Sequence, residues 1–186
     1  MMLFGFYEGL SWKSRMIMWE TRSHKSHISV IQMNNSVFDY PTETIRWANL
    51  QNELHQCRIW ESWGRDGIVR RTGIHEGHTP GTPLTILRLN NDANRRFNEQ
   101  AAVRFMEQCV EKGIKYDWWG IVRFAIRINR QNPNRMFCSE FAQHASEHAN
   151  CPLLMRVKGP HFVSPADQYH TPILLHFYST TTGVTV

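Results

Sequence analysis

Short runs of alternating or continuous apolar residues, set apart by turn residues, organise this chain. Leu3–Tyr7, Ile28–Met33, Cys57–Trp63 and Leu84–Leu89 are rich in β-branched and aromatic residues and predict strands. Gly64-Arg65-Asp66-Gly67 turns the third of these into Ile68–Arg70, which predicts a hairpin. A last strand is expected over Ile173–Tyr178. Other stretches carry helical spacing. Ser11 is placed to cap a helix over Trp12–Thr21, with Met16, Ile17 and Trp19 giving its buried side. Asn91 or Asp92 starts the longest expected helix, which ends near Gly113 and spaces Phe97, Ala101, Phe105 and Cys109 along one face. Tyr116–Ile128 predicts an aromatic-rich helix or pair of turns. From Ser139 a further helix runs to about Asn150, with Phe141, Ala142 and Ala145 on one side and Gln143, Ser146 and Glu147 on the other. Ser164–Asp167 reads as a helical turn, Asn34-Asn35 as a turn, and Thr72–Pro83 as a loop. The polar stretch up to Gln56 leaves room for a short helix near Thr44–Leu50, and the tail after Ser179 is expected to fray. Helices set among mostly antiparallel strands make the expected fold class α+β, with a small antiparallel sheet of about five strands and helices packed on it.

Composition narrows this picture. With 186 residues, 41% of them hydrophobic, and seven Trp and ten Phe, the chain supports one folded domain over 1–186. The net charge is +5, but Lys and Arg are scattered apart from Arg70-Arg71 and Arg95-Arg96, which argues against nucleic acid as a partner. A general attraction to anionic surfaces or substrates stays open. Cys57, Cys109, Cys138 and Cys151 form no C-x-x-C pair and read as free thiols of a reducing compartment. The first residues lack the basic start and cleavage site of a signal peptide, and no run reaches the ~20 apolar residues that span a bilayer. The expected location is therefore cytoplasmic, with no transmembrane segment.

Candidate chemistry centres on Arg135-Met136-Phe137-Cys138-Ser139-Glu140-Phe141, where a cysteine sits at the junction of a loop and a helix after Pro133. Free backbone N–H groups and the positive end of the helix dipole favour a thiolate over a thiol there. A nucleophilic cysteine also needs a base, and the base needs an orienting group. His27, at the mouth of a strand in Ser26-His27-Ile28, suits the base, with His24 the nearest competitor. Glu61, between Trp60 and Trp63, is costly to bury unless an imidazole on the next strand pairs with it. The plainer alternatives are a packed Cys138, a strand-edge His27 without a role, and an outward Glu61 opposite Arg70. His144 and His148 stand four apart on a helix, and His75-Glu76-Gly77-His78 lies in a loop. The first pair lacks a third ligand and the general-base Glu of a zinc helix, so the metal expectation is none.

Taken in order, these segments resemble the circularly permuted branch of the NlpC-type papain-like cysteine hydrolases, which includes YiiX-like bacterial proteins and the lecithin:retinol acyltransferase relatives. The resemblance rests on Ser26-His27-Ile28-Ser29-Val30, on Ile59-Trp60-Glu61-Ser62-Trp63 with Gly67-Ile68-Val69, on Tyr116-Asp117-Trp118-Trp119-Gly120 and on Phe137-Cys138-Ser139-Glu140-Phe141. Ile17-Met18-Trp19-Glu20-Thr21 and Val163-Ser164-Pro165-Ala166-Asp167 add to it, so that it covers residues 3–170. It implies a papain-like domain with Cys138 as nucleophile, His27 as base and Glu61 as the residue orienting His27. The Cys138 N–H would contribute to an oxyanion hole, with Tyr116, Trp118 and Ser139 toward the substrate and no cofactor. The implied reaction is hydrolysis of an amide, ester or thioester bond in a peptide or acyl-lipid substrate, with peripheral membrane contact compatible. A catalytically inactive papain-like fold used for binding or structure is the alternative. The aromatic load at Trp118-Trp119 and the insertion between Asn34 and Gln56 depart from the family pattern where substrate would be chosen.

Overall fold

The computed structural model describes residues 1–34, 38–39, 44–119, 132, 134–155 and 163–180. Ten strands and six helices follow in chain order among them: β1 (Met2–Tyr7), α1 (Trp12–Thr21), β2 (His27–Gln32), β3 (Phe38–Asp39), β4 (Thr44–Ile45), α2 (Trp47–Gln56), β5 (Arg58–Trp63), β6 (Gly67–Thr72), β7 (Leu84–Leu89), α3 (Asn91–Arg96), α4 (Glu99–Glu111), β8 (Lys115–Tyr116), β9 (Arg135–Met136), α5 (Cys138–His148), α6 (Pro165–Tyr169) and β10 (Leu174–Ser179). The fold is α+β, as the patterning predicts. Its main sheet has six antiparallel strands rather than about five, in the order β10-β7-β1-β2-β5-β6.

Strand alternation gives the sheet two different faces. Phe4 and Phe6 of β1, Ile28 and Val30 of β2, Trp60 of β5 and Ile68 of β6 bury one face against Ala102, Met106 and Cys109 of α4 and Phe141, Ala142 and Ala145 of α5. On the other face Leu3, Ile31 and Ile59 pack with Leu50 and Leu54 of α2 and with Ile74. The strands of the centre are apolar on both sides because both sides are covered.

Five expectations about helices need correction. The long helix from Asn91 is two helices, broken at Phe97-Asn98. Asn98 accepts a hydrogen bond from the Ala101 N–H and so starts α4 as an N-cap, a role that competes with helix continuation. On α1 the expected apolar side is not buried: Ile17 lines a cleft, but Met16 and Trp19 are exposed. α5 has no polar outer side at Gln143 and Ser146, both fully buried. The Gln143 side chain instead holds Leu154 in both directions, donating to its carbonyl and accepting from its N–H, while the Ser146 hydroxyl accepts from the Leu153 N–H. Tyr116 belongs to β8, not to a helix, and most of the helix expected up to Ile128 lies outside the described residues, as do Asn35 and the tail from 181. The helix expected near Thr44–Leu50 forms later, as α2.

Candidate active site

The site forms where the start of β2 meets the start of α5. Cys138 is the first residue of α5, and the backbone approaching it is held at several points. β8 and β9 form a two-residue parallel ladder that places Tyr116 beside Met136. The Ser62 hydroxyl donates to the Met136 carbonyl at 2.6 Å, tying the approach to β5. After the cysteine, the Ser139 hydroxyl donates to the Val163 carbonyl at 2.6 Å, and the Gln168 amide donates to the Ser139 carbonyl at 2.9 Å. Phe137, the capping residue, offers no side-chain oxygen to the helix, so the first-turn N–H groups of α5 receive no side-chain cap from it.

His27 comes from the other side of this junction. Antiparallel pairing sets Ser29 opposite Glu61, which puts His27 diagonally across from Glu61 on the same face of the sheet. The His27 Nε2 lies 2.9 Å from Glu61 Oε2, and Glu61 is 0% exposed. Glu61 is thus inward. The expected alternative, an outward Glu61 opposite Arg70, does not occur. Residues of β6 alternate like those of β5, so Arg71 and not Arg70 shares the Glu61 face. Arg71 Nε donates to Glu61 Oε1 at 2.7 Å, while Arg70 reaches Glu107 on the opposite face.

A second imidazole completes the carboxylate's shell. His78 Nε2 lies 3.1 Å from the same Oε2, and its ring stacks on Tyr7 at 3.8 Å between centroids. The Trp63 ring meets His27 and His78 edge-on at 5.3 and 5.1 Å. The loop that delivers His78 turns at Gly77, whose φ is +81° and whose missing Cβ leaves room for the Arg71 guanidinium 2.6 Å from where it would stand. His78 and Arg71 are the site residues that strand and helix patterns do not reveal. Arg71 could have been inferred from the hairpin register, but His78 sits in a loop with no period.

The electrostatics follow from this packing. Burial alone would push the His27 pKa down. The charge and hydrogen bond of Cys138, followed by the hydrogen bond and charge of Glu61, reverse that and raise it to about 10. Burial likewise works to raise the Glu61 pKa, but hydrogen bonds from His27 and His78 overcome it and hold the carboxyl well below the usual range. His78 is shifted down by burial, with the charges of His27 and Arg71 adding to the effect against Glu61. One carboxylate therefore serves two imidazoles shifted in opposite directions, His27 toward its charged form and His78 toward its neutral one. Burial raises the Tyr116 pKa well above its ordinary value, and the charge of Cys138 adds to it.

A cleft of about 540 Å³ opens over the imidazoles, lined by His27, His78, Trp63, Tyr116, Trp118, Leu10 ahead of α1, and Ile17 on α1. Trp118 is half-exposed in its wall and donates its indole N–H to the Gly64 carbonyl at 2.8 Å; a Cβ on Gly64 would collide with that ring. A smaller cavity of about 30 Å³ touches Cys138 and Ser139 and shares Ile17, Ser26 and Tyr116 with the cleft. His24, the competing base, is exposed. His144 sits 3.2 Å from Glu147 and the His148 ring stacks on Phe105, so each has a partner of its own on the helix layer. Among the described residues one set of side chains has metal-ligand geometry: the ligand atoms of His27, Glu61 and His78 all lie within 4.8 Å of one another.

No protein-family model matches this chain, and no curated protein matches it significantly. Among solved structures it is similar to the metalloprotein yiiX of Escherichia coli O157:H7, with a TM-score of 0.54 over 95% of this chain and 94% of that one at 14% identity. The likeness is one of fold, α+β and YiiX-like. No helix among the described residues is long and apolar enough to cross a membrane.

Proposed function

We propose that this protein is a papain-like cysteine hydrolase that cleaves an amide, or an ester or thioester, through a thioester acyl-enzyme. One observation carries the reading: a single imidazole, that of His27, joins Cys138 to a buried carboxylate. Glu61 occupies Nε2, which leaves the other ring nitrogen for the cysteine. That is the order of groups a thiol nucleophile requires. The Cys138 sulfur adds to the substrate carbonyl carbon, and the resulting oxyanion is met by the Cys138 backbone N–H at the helix start. The His27 proton then passes to the leaving amine or alcohol as its bond to carbon breaks, giving the thioester. Water attacks this intermediate, giving a proton to His27 as it does so, and the acid product leaves Cys138. Glu61, held by Arg71 and His78, keeps the His27 ring oriented and stabilises its charged form. The cleft walls, with Trp63, Tyr116 and Trp118, suit a peptide or an acyl-lipid chain.

A second reading, a papain-like fold that binds without catalysis, draws on one observation: Cys138 is 3% exposed and the cavity it touches is water-sized. Alkylation separates the two. The rate of iodoacetamide modification at Cys138, followed by mass spectrometry against pH, should be appreciable near pH 6 in the wild type and should lose that low-pH branch in His27→Ala. A thiol that stays slow until pH 8–9 in both proteins, where an unperturbed cysteine ionises, would overturn the hydrolase reading in favour of the binding one.

A further inference from the structure

The geometry points to a dissociable divalent-cation site, of the zinc class, formed by His27 Nε2, Glu61 Oε2 and His78 Nε2. Two imidazole nitrogens and one carboxylate oxygen are the donor set of a three-ligand zinc site with an open fourth position. In such a tetrahedral site neighbouring donor atoms stand roughly 3.4 Å apart. Here Glu61 Oε2 lies 2.9 Å from one nitrogen and 3.1 Å from the other, and all three atoms fall within 4.8 Å of one another. Shifts of a few tenths of an ångström convert hydrogen-bond spacing into ligand spacing.

The three donors come from separate, well-held parts of the fold: β2, β5 and the loop between β6 and β7. The aromatic box of Tyr7 and Trp63 fixes both rings. Arg71 holds Oε1, so Oε2 alone faces the imidazoles, as an outer-shell partner does in a metal site. Both histidines line the cleft, from which a water or a substrate atom could take the fourth position. The Arg71 charge, partly answered by Asp66 at 3.5 Å, works against the ion and favours a dissociable rather than a permanent occupant.

Occupancy would change the chemistry next door. When the ion bonds to His27 Nε2, the proton there leaves to solvent and the remaining ring proton sits on the nitrogen facing Cys138. The ring then has no free nitrogen with which to accept the thiol proton. Binding of the ion itself needs no reactive thiol, so its test stands apart from the hydrolase reading.

The test is titration of the chelator-treated full chain with Zn²⁺, read by calorimetry and by bound metal after gel filtration, in the wild type and in Cys138→Ala, His78→Ala and His144→Ala. One Zn²⁺ per chain is expected in the wild type, in Cys138→Ala and in His144→Ala, with affinity reduced tenfold or more in His78→Ala. Co²⁺ in the wild type should give the visible spectrum of a four- or five-coordinate nitrogen–oxygen site, a reading that requires no variant to fold. Zn²⁺ should also slow alkylation of Cys138 in the wild type and not in His78→Ala. No stoichiometric Zn²⁺ or Co²⁺ binding to the wild type would overturn the site, as would binding that His78→Ala leaves unchanged. Binding lost in His144→Ala would place the ion on α5 and overturn it equally.

Discussion

Cys57 and Cys138 are buried to the same degree, each 3% exposed, and each sits at the end of a helix. They sit at opposite ends. Cys57 follows the last turn of α2, where carbonyl oxygens point outward, and its thiol donates to the Leu54 carbonyl at 3.3 Å. Burial, with the Glu53 charge adding to it, pushes that thiol up to about 12. Cys138 opens α5, where N–H groups point outward, and it faces His27, an imidazole backed by a buried carboxylate. Burial therefore does not distinguish these two cysteines from each other. The helix end and the charge of the neighbour do.

The hardest blow to that contrast is Cys138→Ala. With a p-nitrophenyl acyl ester as a generic acyl donor, turnover should fall by roughly 10⁴-fold or more, the loss that follows removal of a nucleophile. A variant that kept most of its turnover would mean that another group attacks. Next in size is His27→Ala, for which alkylation of Cys138 at pH 6 should slow by about tenfold or more. Cys57 should stay unreactive in the same digests, before and after the change, since its thiol is neutral far above that pH.

The two cysteine environments also differ in how stability should depend on pH. His27 has its pKa raised on folding, from about 6.5 to about 10. A raised pKa means the folded state holds the proton more tightly, so its contribution is fully present below about 6.5 and is lost as pH rises toward 10. The Cys57 thiol is also raised, but from about 8.5. Its contribution begins to fade only above that point and is gone near 12. Urea midpoints measured from pH 6.5 to 8.5 should therefore decline in the wild type and in Cys57→Ala alike, and should be flatter in His27→Gln. An equal decline in His27→Gln would show that His27 does not titrate as its neighbours dictate. Glu61 acts at the other end: its pKa is depressed, so its contribution is present above about 4.3 and fades on further acidification.

A smaller effect probes what holds Glu61 in place. Gly77→Ala forces a side chain into a left-handed backbone and onto the Arg71 guanidinium, and should cost about 1–2 kcal/mol in chemical denaturation. If Arg71 is displaced, the pH 6 branch of Cys138 alkylation should weaken with it. Unchanged stability would show that the loop relaxes around the new methyl group.

Much of this was legible in the sequence because it rests on short-range patterns. The six strands of the main sheet follow from apolar runs bounded by turn residues. The Ser11 cap and the helix start at Cys138 follow from capping signals, and the pairing of His27 with Glu61 from the family resemblance, since alternation alone left Glu61 inward or outward. Three kinds of feature were not legible. Asn98 lies within one continuous run of helical apolar spacing yet acts as a cap, and the break there is held by the tertiary path of the chain, where its N–H bonds the Ala149 carbonyl. Met16 and Trp19 carry an apolar signal that no surface among the described residues buries, and Trp19 is 79% exposed. His78 enters the site through a glycine-turned loop, and its partner on Glu61 is fixed by stacking on Tyr7, seventy-one positions away in sequence, a contact that no local pattern records.

The smallest expected effect is also the cleanest control for the contrast between the two thiols. In Cys57→Ser a hydroxyl replaces a thiol that already acts as a donor, so the bond to the Leu54 carbonyl can persist with a shorter, stronger donor. The change also trades a small hydrophobe for a polar group among Leu50, Leu54 and Ile74. These effects oppose one another, and the net cost in the urea midpoint should stay within about 1 kcal/mol, with acyl-ester turnover unchanged. The same substitution at Cys138 keeps the shape and the hydrogen-bonding capacity but replaces the proposed thiol nucleophile with a hydroxyl, a far weaker acid, and on the hydrolase reading turnover should collapse. If Cys57→Ser lost turnover as well, the two helix ends would not be independent and the position of Cys138 would no longer explain its chemistry.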